Sequence, residues 1–372
     1  MARDRVFRNL LVALPIILAG GICTVDGLIW LFSEKPQRVI ANESPMPAEP
    51  AVHVASQPGP AHRVGTPGIS MASLILVLSG RHKLAAITPE VRDNPWLARI
   101  APEVSSLPTP FSRPAGVNTE ALVATNPDLV TLWQGNEALG SRLKALGIPV
   151  LQMAYSTPEE MKVAIRQLGQ ALGREAMARG EDLIAYYERN LQRVASQLGV
   201  LSNDARPRVY YASIAPLFTE GSKSMVNAWI EAAGGINVAA SGGLQGDGQV
   251  HLEDVVKWDP EIIITLDAAG RQAILDDPRW RKVGAVRNGR VLVNPKGINA
   301  WCTRAAEAAL QVLWAAGMFH PELFPDLDMA AETRRFYRQF YAYELNDDEL
   351  AHLLQGLPPP APNSPTPARK KS

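Results

Sequence analysis

The sequence has few cysteines and no excess of charge of either sign. Its 372 residues contain two cysteines, Cys23 and Cys302, which excludes a disulfide scaffold and a clustered zinc or iron–sulfur site. Basic and acidic residues number 37 each, so the formal net charge is zero. A nucleic-acid-binding protein usually has a basic surplus, and nucleic acid is therefore not an expected partner.

Motifs of several catalytic classes are also missing. The sequence has six histidines: His53, His62, His82, His251, His320 and His352. They form no His-x-x-x-His pair and have no cysteine at ligand spacing, so we expect no metal site. The glycine-rich stretch 242–248 lacks the Lys-Ser/Thr ending of a phosphate-binding loop, and no Gly-x-Ser-x-Gly motif occurs.

The N-terminus has the order of an export signal. Arg3, Arg5 and Arg8 precede an apolar run at residues 10–22, which predicts export from the cytoplasm. Two outcomes stay open for residues 1–32. A signal peptidase would cleave after the small residues at 19–21, or residues 10–32 would remain as an inner-membrane anchor, although Asp26 costs a few kcal/mol in a bilayer.

Proline-rich stretches flank the folded part. Residues 33–62 contain six of the thirty prolines and little apolar periodicity, and we interpret them as a flexible linker. Residues 356–372 are predicted to be a disordered tail. The part between them divides into an N-terminal α/β lobe at 63–155, a connecting helix at 156–200 and a C-terminal α/β lobe at 201–355.

An internal repeat with an offset of 133 residues indicates that the two lobes are duplicates. Residues 117–132 and 250–266 each predict a short helix near a glutamate, then a proline followed by an acid, then an apolar strand at 129–132 or 262–266. A repeat this long indicates a duplicated α/β unit rather than a solenoid. The alternative is a coincidence between two ordinary helix–strand units.

The other elements fit an α/β fold with two Rossmann-like lobes and parallel sheets. Further strands are predicted at 150–153, 209–212 and 291–293, and helices at 139–146 and 225–233. The connecting stretch begins at the capping sequence Thr157-Pro158-Glu159-Glu160. As one helix, residues 158–198 would form a strut of about 60 Å. Glycines at 169, 173 and 180 leave two consecutive helices as the alternative.

Together these features resemble the periplasmic substrate-binding proteins of ABC importers, in the class that captures ferric siderophores, haem and cobalamin. The resemblance covers about residues 63–355 and includes the motifs NPW at 94–96, LGIPV at 146–150, GGINV at 234–238 and VGAVRNGRV at 283–291. Residues 63–71 depart from it, because the family's first strand is usually a regular apolar run and this stretch is irregular.

The resemblance implies a non-enzymatic, monomeric protein with a ligand cleft between two lobes joined by one long helix. It implies a metal chelate as cargo, an ABC permease dimer contacted through both lobes as partner, and no cofactor. The alternative is a two-lobed enzyme or cofactor-assembly protein of nitrogenase-like fold, which would need cysteines to hold its cluster.

Ligands of open α/β sheets bind beyond the carboxyl ends of the strands, so the loops there supply the candidate ligand-binding residues. The candidates are Ser70, Phe111, Arg113, Trp133, Gln134, Ser213, Gln249, Asp267, Trp301 and Arg304. The large ring of Trp133 suits a bulky chelate, and the two arginines suit anionic groups. The alternative for Trp301 is a place in the core, and for Arg304 the start of a solvated helix face.

Two glutamates at equivalent positions of the repeat are candidates for permease docking. Glu120 and Glu253 each begin a helix, where a carboxylate gains about 0.3–1 kcal/mol from the helix dipole. That local benefit alone would explain both residues. The resemblance implies instead that each presents its carboxylate to arginines on one permease subunit.

Overall fold

The computed structural model describes residues 59–79, 81–112, 116–199 and 201–361. The predicted signal or anchor at 1–32, most of the linker and residues 362–372 of the tail lie outside the described residues. In the described ranges, no helix is long and apolar enough to cross a membrane.

The N-terminal lobe is built on a parallel sheet. Its strands are β1 Val64–Gly65, β2 Leu84–Ala86, β3 Phe111–Ser112, β4 Gly116–Val117, β5 Leu129–Trp133 and β6 Val150–Met153. Its helices are α1 Ile69–Ser79, α2 Pro89–Arg92, α3 Pro95–Ile100, α4 Thr119–Ala124 and α5 Glu137–Ala145. The sheet has the order β2-β1-β5-β6 with every pair parallel, while β3 and β4 form a separate antiparallel pair.

The connection and the C-terminal lobe follow. The connecting helices are α6 Pro158–Leu172 and α7 Arg174–Leu198. The strands of the C-terminal lobe are β7 Arg208–Ala212, β8 Phe218–Glu220, β9 Ile236–Asn237, β10 Asp247–Gln249, β11 Ile262–Thr265 and β12 Val291–Val293. Its helices are α8 Met225–Ala232, α9 Val238–Ser241, α10 Leu252–Trp258, α11 Ala268–Asp276, α12 Gly284–Arg287, α13 Ala308–Phe319, α14 Met329–Tyr341 and α15 Asp347–Leu354.

The second sheet repeats the parallel design of the first. Its order is β12-β11-β7-β9, again with every pair parallel, and β8 and β10 form an antiparallel pair beside it. The central strand β11 is buried along its whole length, because helices cover both faces of the sheet. The predicted α/β fold with two parallel lobes is confirmed.

The internal repeat is a real duplication of structure. Helices α4 and α10 each lead into a central strand, β5 or β11. Each connection has a residue with left-handed backbone just before the proline, Asn126 with φ of 48° and Asp259 with φ of 40°. A left-handed residue ends a helix, and the proline cannot continue it. The same unusual conformation at equivalent positions argues against coincidence.

The acid after each proline has the same structural role in both lobes. Asp128 accepts a hydrogen bond from the backbone N–H of Arg63 (2.8 Å), and Glu261 accepts one from the backbone N–H of Arg208 (2.9 Å). Each arginine side chain also donates to a carbonyl at the end of the preceding helix. The acid thus ties the start of the neighbouring strand, β1 or β7, to the central strand.

The connecting stretch consists of two helices that fold back on each other. The prediction of a single helical strut of about 60 Å is therefore wrong, and the alternative of two consecutive helices is right. The chain reverses at Gly173, whose φ of 109° favours glycine. The two helices run antiparallel, because Arg166 pairs with Glu181 (2.8 Å) and Lys162 with Glu188 (3.1 Å).

Helix α7 bridges the two lobes. It has 25 residues and is about 37 Å long. Near its start, Arg179 Nε donates to the carbonyl of Val77 in α1 (2.6 Å), and further along Asn190 Nδ2 donates to the carbonyl of Ala309 in α13 (2.7 Å). The long bridging helix of the predicted fold is therefore α7.

The C-terminal tail departs from the prediction over its described part. Residues 356–361 are held against α3 of the N-terminal lobe rather than disordered. Trp96 Nε1 donates to the carbonyl of Leu357 (3.0 Å), and Arg99 Nη2 donates to that of Pro360 (2.7 Å). Arg99 also pairs with the buried carboxylate of Glu349 (3.1 Å). Proline-rich composition did not predict these contacts, because backbone carbonyls make them.

Candidate functional site

The carboxyl ends of the strands lead to a contact between the two lobes. Tyr155 lies two residues beyond β6 of the N-terminal lobe, and Arg304 lies in the segment 294–307 that follows β12 of the C-terminal lobe. These two residues meet across the lobes. The position is the one at which open α/β sheets bind ligands.

Tyr155 and Arg304 are joined by two reciprocal hydrogen bonds. The Tyr155 hydroxyl donates to the backbone carbonyl of Arg304 (2.9 Å), and Arg304 Nε donates to the backbone carbonyl of Tyr155 (3.0 Å). Tyr155 is buried and Arg304 half-buried. Each side chain therefore fixes the other residue's backbone across the cleft.

Trp133 completes the N-terminal side of this contact. It ends β5, and its ring centroid lies 4.9 Å from that of Tyr155 with the ring planes inclined by 46°. Such tilted aromatic pairs add about 0.5–1.5 kcal/mol beyond their area of contact. The indole Nε1 is buried and has no hydrogen-bond partner among the described residues. The N–H of Trp133 is therefore a buried donor beside the Tyr155–Arg304 contact.

Two carboxylates lie opposite each other on the C-terminal side. The antiparallel pairing of β8 and β10 places Glu220 across from Asp247. Burial raises the pKa of Glu220, the negative charge of Asp247 adds to that shift, and the positive charge of Arg304 opposes it. The positive charge of Arg304 therefore acts on the carboxyl group of Glu220.

Cys302 has the properties of an inert thiol. It is buried, its Sγ lies 3.2 Å from the hydroxyl of Tyr211, and burial raises its pKa to about 12. A nucleophile or metal ligand must be a thiolate at neutral pH, and this thiol is protonated. Over the ranges that the structure describes, no group of three or more His, Cys, Asp and Glu residues is placed to hold a metal ion.

A second polar contact joins the lobes beside the first. Ser70, in the first turn of α1, is buried, and its Oγ accepts a hydrogen bond from Asn299 Nδ2 (3.1 Å). Next to it, Asn94 Nδ2 donates to the carbonyl of Ile298 (3.0 Å). The segment 294–307 thus contacts the N-terminal lobe at several points, and Ser70 lies at the inter-lobe contact.

Two predicted ligand-binding side chains lie in the core. Phe111 is 1% exposed and belongs to the hydrophobic core of the N-terminal lobe, and Trp301 is 0% exposed. Neither ring presents a surface to a ligand in this structure. For Trp301 the structure matches the core alternative. Position after a strand predicted a loop but not the direction of the side chain.

The other predicted residues differ in exposure, and one of them lies outside the described residues. Gln134 and Gln249 are exposed, and Ser213 is half-buried. Asp267 caps helix α11, because its Oδ1 accepts a hydrogen bond from the backbone N–H of Gly270 (2.8 Å). Arg113 lies outside the described residues.

The two predicted docking glutamates occupy matching positions. Glu120 lies in the first turn of α4 and Glu253 in the first turn of α10, and both are exposed. A different residue, Asn118, caps α4 by accepting a hydrogen bond from the backbone N–H of Ala121 (3.0 Å). Glu120 is therefore not needed as the cap of its helix.

Sequence reasoning missed two residues of the site. Tyr155 follows a correctly predicted strand by two residues, so the rule that selected Trp133 also selects Tyr155 when it is applied to β6. Glu220 lies on β8, a strand of three residues that no periodic pattern marks. Nothing in the local sequence points to its proximity to Arg304.

Two parallel α/β lobes, one bridging helix and a polar contact between the carboxyl ends of their strands define a two-lobed ligand-binding protein. The sequence profile of the family described as "Periplasmic binding protein" matches residues 75–296, which is more than half of the chain. The chain belongs to this family, the periplasmic solute-binding proteins of ABC importers.

Relatives in this family have different cargoes. The chain is 29% identical over 278 residues to the molybdate-binding protein MolA of Haemophilus influenzae, covering 68% of this chain and 78% of MolA. It is 27% identical over 300 residues to a cobalamin-binding protein of Halobacterium salinarum, covering 74% and 79% of the two chains.

Solved structures agree with this assignment. A periplasmic solute-binding protein of Veillonella parvula superposes with a TM-score of 0.70 at 26% identity, covering 80% of this chain and 93% of the other. MolA of Haemophilus influenzae bound to molybdate also gives a TM-score of 0.70, at 25% identity and with coverage of 78% and 96%.

Proposed function

We propose that this protein captures an anionic, metal-containing small molecule between its two lobes and delivers it to an ABC permease without chemical conversion. The observation that carries the proposal is the Tyr155–Arg304 contact, with its cationic guanidinium and the indole N–H of Trp133, which has no hydrogen-bond partner in the described part of the chain. A fixed guanidinium and a nearby N–H donor suit anionic oxygen atoms.

Two cargo classes fit this chemistry. The sequence favours an iron(III)–siderophore-type chelate, cobalamin or haem. The direct bonds between Tyr155 and Arg304 and between Ser70 and Asn299 favour a small oxyanion of a metal, such as molybdate, since a bulky chelate has to separate these pairs. The molybdate cargo named for MolA supports the same ranking. We therefore propose an oxometalate as the first candidate cargo and a metal chelate as the second.

A binding panel tests the proposal. The purified protein is titrated calorimetrically with molybdate, tungstate, sulfate, a ferric siderophore, cyanocobalamin and haemin, and native mass spectrometry of protein isolated from its own cell envelope identifies any retained cargo. We expect molybdate or tungstate to bind and sulfate to bind more weakly. Selective binding of a chelate would reverse the ranking of cargo, and binding of none would refute the proposal.

The proposed partner is a permease dimer that contacts both lobes. Glu120 and Glu253 are exposed at equivalent positions of the duplicated units, one on each lobe. We expect their carboxylates to pair with basic residues of the permease, and this docking to weaken as salt screens the charges.

A double variant tests the docking role. Glu120→Gln with Glu253→Gln should leave cargo affinity unchanged and impair uptake in cells that carry only this variant. The matched control is Glu90→Gln with Glu231→Gln, which neutralises two other exposed glutamates. Wild-type uptake by the first variant would refute docking and leave only the helix-start role.

The proposed location is the periplasm, with residues 1–32 as signal peptide or inner-membrane anchor. The basic residues followed by an apolar run support it. Fractionation of cells and the intact mass of the protein separate the two outcomes. Full-length protein in the cytosolic fraction would refute export.

A further inference from the structure

We propose that Tyr155 is a positioning residue, which fixes the guanidinium of Arg304 for cargo and makes that arrangement depend on contact between the lobes. This inference rests on the proposed function, because it takes Arg304 as the group that binds an anionic cargo. It adds a role for Tyr155, a residue that does not itself need to touch the cargo.

The first step is the division of the hydrogen-bond donors of Arg304. A guanidinium has five N–H donors, and Nε uses its single one on the backbone carbonyl of Tyr155 (3.0 Å). The terminal nitrogens Nη1 and Nη2 of Arg304 form no hydrogen bond with a described residue. The two Nη groups present the forked geometry that binds two oxygen atoms of an anion at once.

The second step is the rigidity of the group that holds Arg304. Tyr155 is 3% exposed, and the ring of Trp133 packs against it with centroids 4.9 Å apart. Its hydroxyl also fixes the backbone of Arg304 through the second bond (2.9 Å). Arg304 is thus held at both its main chain and its side chain, and an arginine fixed in advance loses less conformational freedom when cargo binds.

The third step is the position of both bonds across the lobes. Tyr155 follows β6 of the N-terminal lobe, and Arg304 follows β12 of the C-terminal lobe. Any separation of the lobes at this point breaks both bonds and frees the guanidinium. Bound cargo that needs the fixed guanidinium must therefore stabilise the contact between the lobes. By thermodynamic reciprocity, formation of this contact must raise the affinity for cargo.

The Tyr155→Phe variant tests the role. It removes the bond from the hydroxyl to the carbonyl of Arg304 but keeps the ring and the backbone carbonyl. Loss of one such bond should weaken the binding of molybdate about 2- to 10-fold. The matched control is Tyr210→Phe, because the hydroxyl of this buried tyrosine donates to the carbonyl of Pro216 (3.0 Å) within the C-terminal lobe. We expect the control to bind molybdate as the wild type does.

Two further readouts separate positioning from general loss of structure. Without cargo, backbone amides of residues 300–306 should exchange hydrogen faster in Tyr155→Phe than in the wild type, and not in Tyr210→Phe. In a background of Arg304→Met, Tyr155→Phe should cause no further loss of molybdate affinity, since it acts through Arg304.

The outcomes distinguish this inference from the proposed function. If the wild type binds molybdate and Tyr155→Phe binds it equally well, the positioning role is wrong and the proposed function stands. Additive losses in the double variant, or unchanged exchange at 300–306, would also overturn the role. If the wild type binds no member of the cargo panel, the proposed function itself fails.

Discussion

Glu307 should make the stability of this protein depend on pH. It is fully buried at the end of the segment 294–307, which contacts the N-terminal lobe, and one of its carboxylate oxygens has no hydrogen-bond partner among the described residues. The other accepts two long hydrogen bonds, from the hydroxyl of Tyr337 and the backbone N–H of Asn299, both at 3.4 Å. Burial raises the pKa of Glu307 to about 7.

The direction of the effect follows from the raised pKa. In the unfolded chain Glu307 titrates near 4.5, so between pH 4.5 and 7 the folded state holds a proton that the unfolded state has lost. This contribution to stability is present below pH 4.5 and is lost as pH rises through 7. The difference in pKa corresponds to about 3 kcal/mol, of which about 2–3 kcal/mol disappears between pH 5 and pH 8.

The assay compares the wild type with Glu307→Gln by urea unfolding at several pH values. The amide keeps the size of the side chain but cannot ionise. Relative to the wild type, the free energy of unfolding of the variant should therefore rise by about 2–3 kcal/mol between pH 5 and pH 8. Glu120→Gln, the same change at an exposed site, is the control and should follow the wild type. If the free energy of unfolding depended on pH in the same way for the wild type and Glu307→Gln, the reasoning would be refuted.

Three further predictions concern the cleft, the tail and the motion of the lobes. Trp133→Ala should weaken cargo binding by about 1–3 kcal/mol, or about 5- to 150-fold in titration, and unchanged affinity in a folded variant would remove Trp133 from the site. Arg99→Ala removes one of the partners of the buried Glu349 carboxylate and the donor to the Pro360 carbonyl, and it should lower the free energy of unfolding by about 1–3 kcal/mol. Its control, Arg92→Ala, breaks only an exposed pair with Asp93 and should change little, and equal effects of the two would contradict the role of the tail contact. Scattering curves with and without cargo should nearly coincide, because α7 is anchored in both lobes, and a large compaction on binding would contradict this.

The sequence predicted the sheets well because parallel strands covered on both faces are continuous apolar runs. The strands at 150–153 and 291–293 have the predicted bounds, and those near 129–133 and 262–265 differ by one residue at one end. Periodicity also located the two connecting helices. It did not predict that they fold back, since a glycine such as Gly173 marks a break in a helix but not the direction of the chain beyond it.

The site was less predictable because its contacts join residues far apart in the chain. Tyr155 and Arg304 are separated by 149 residues, and each bonds to the other's backbone, which leaves no mark on residue type. A rule based on strand ends named Arg304 and Trp133, which lie at the contact, but also Phe111 and Trp301, whose rings are buried. Strand ends locate the cleft, and packing decides which side chains face it.

The central claim is that Arg304, fixed between the lobes, binds an anionic cargo that contains a metal. The most direct test is a parallel calorimetric titration of the wild type and Arg304→Met with molybdate and with a ferric siderophore. Methionine keeps much of the stem of the side chain and removes the charged donors. We predict that the wild type binds one of the two and that Arg304→Met binds it at least about 10-fold more weakly. Equal affinity of the two proteins for that cargo would contradict the account.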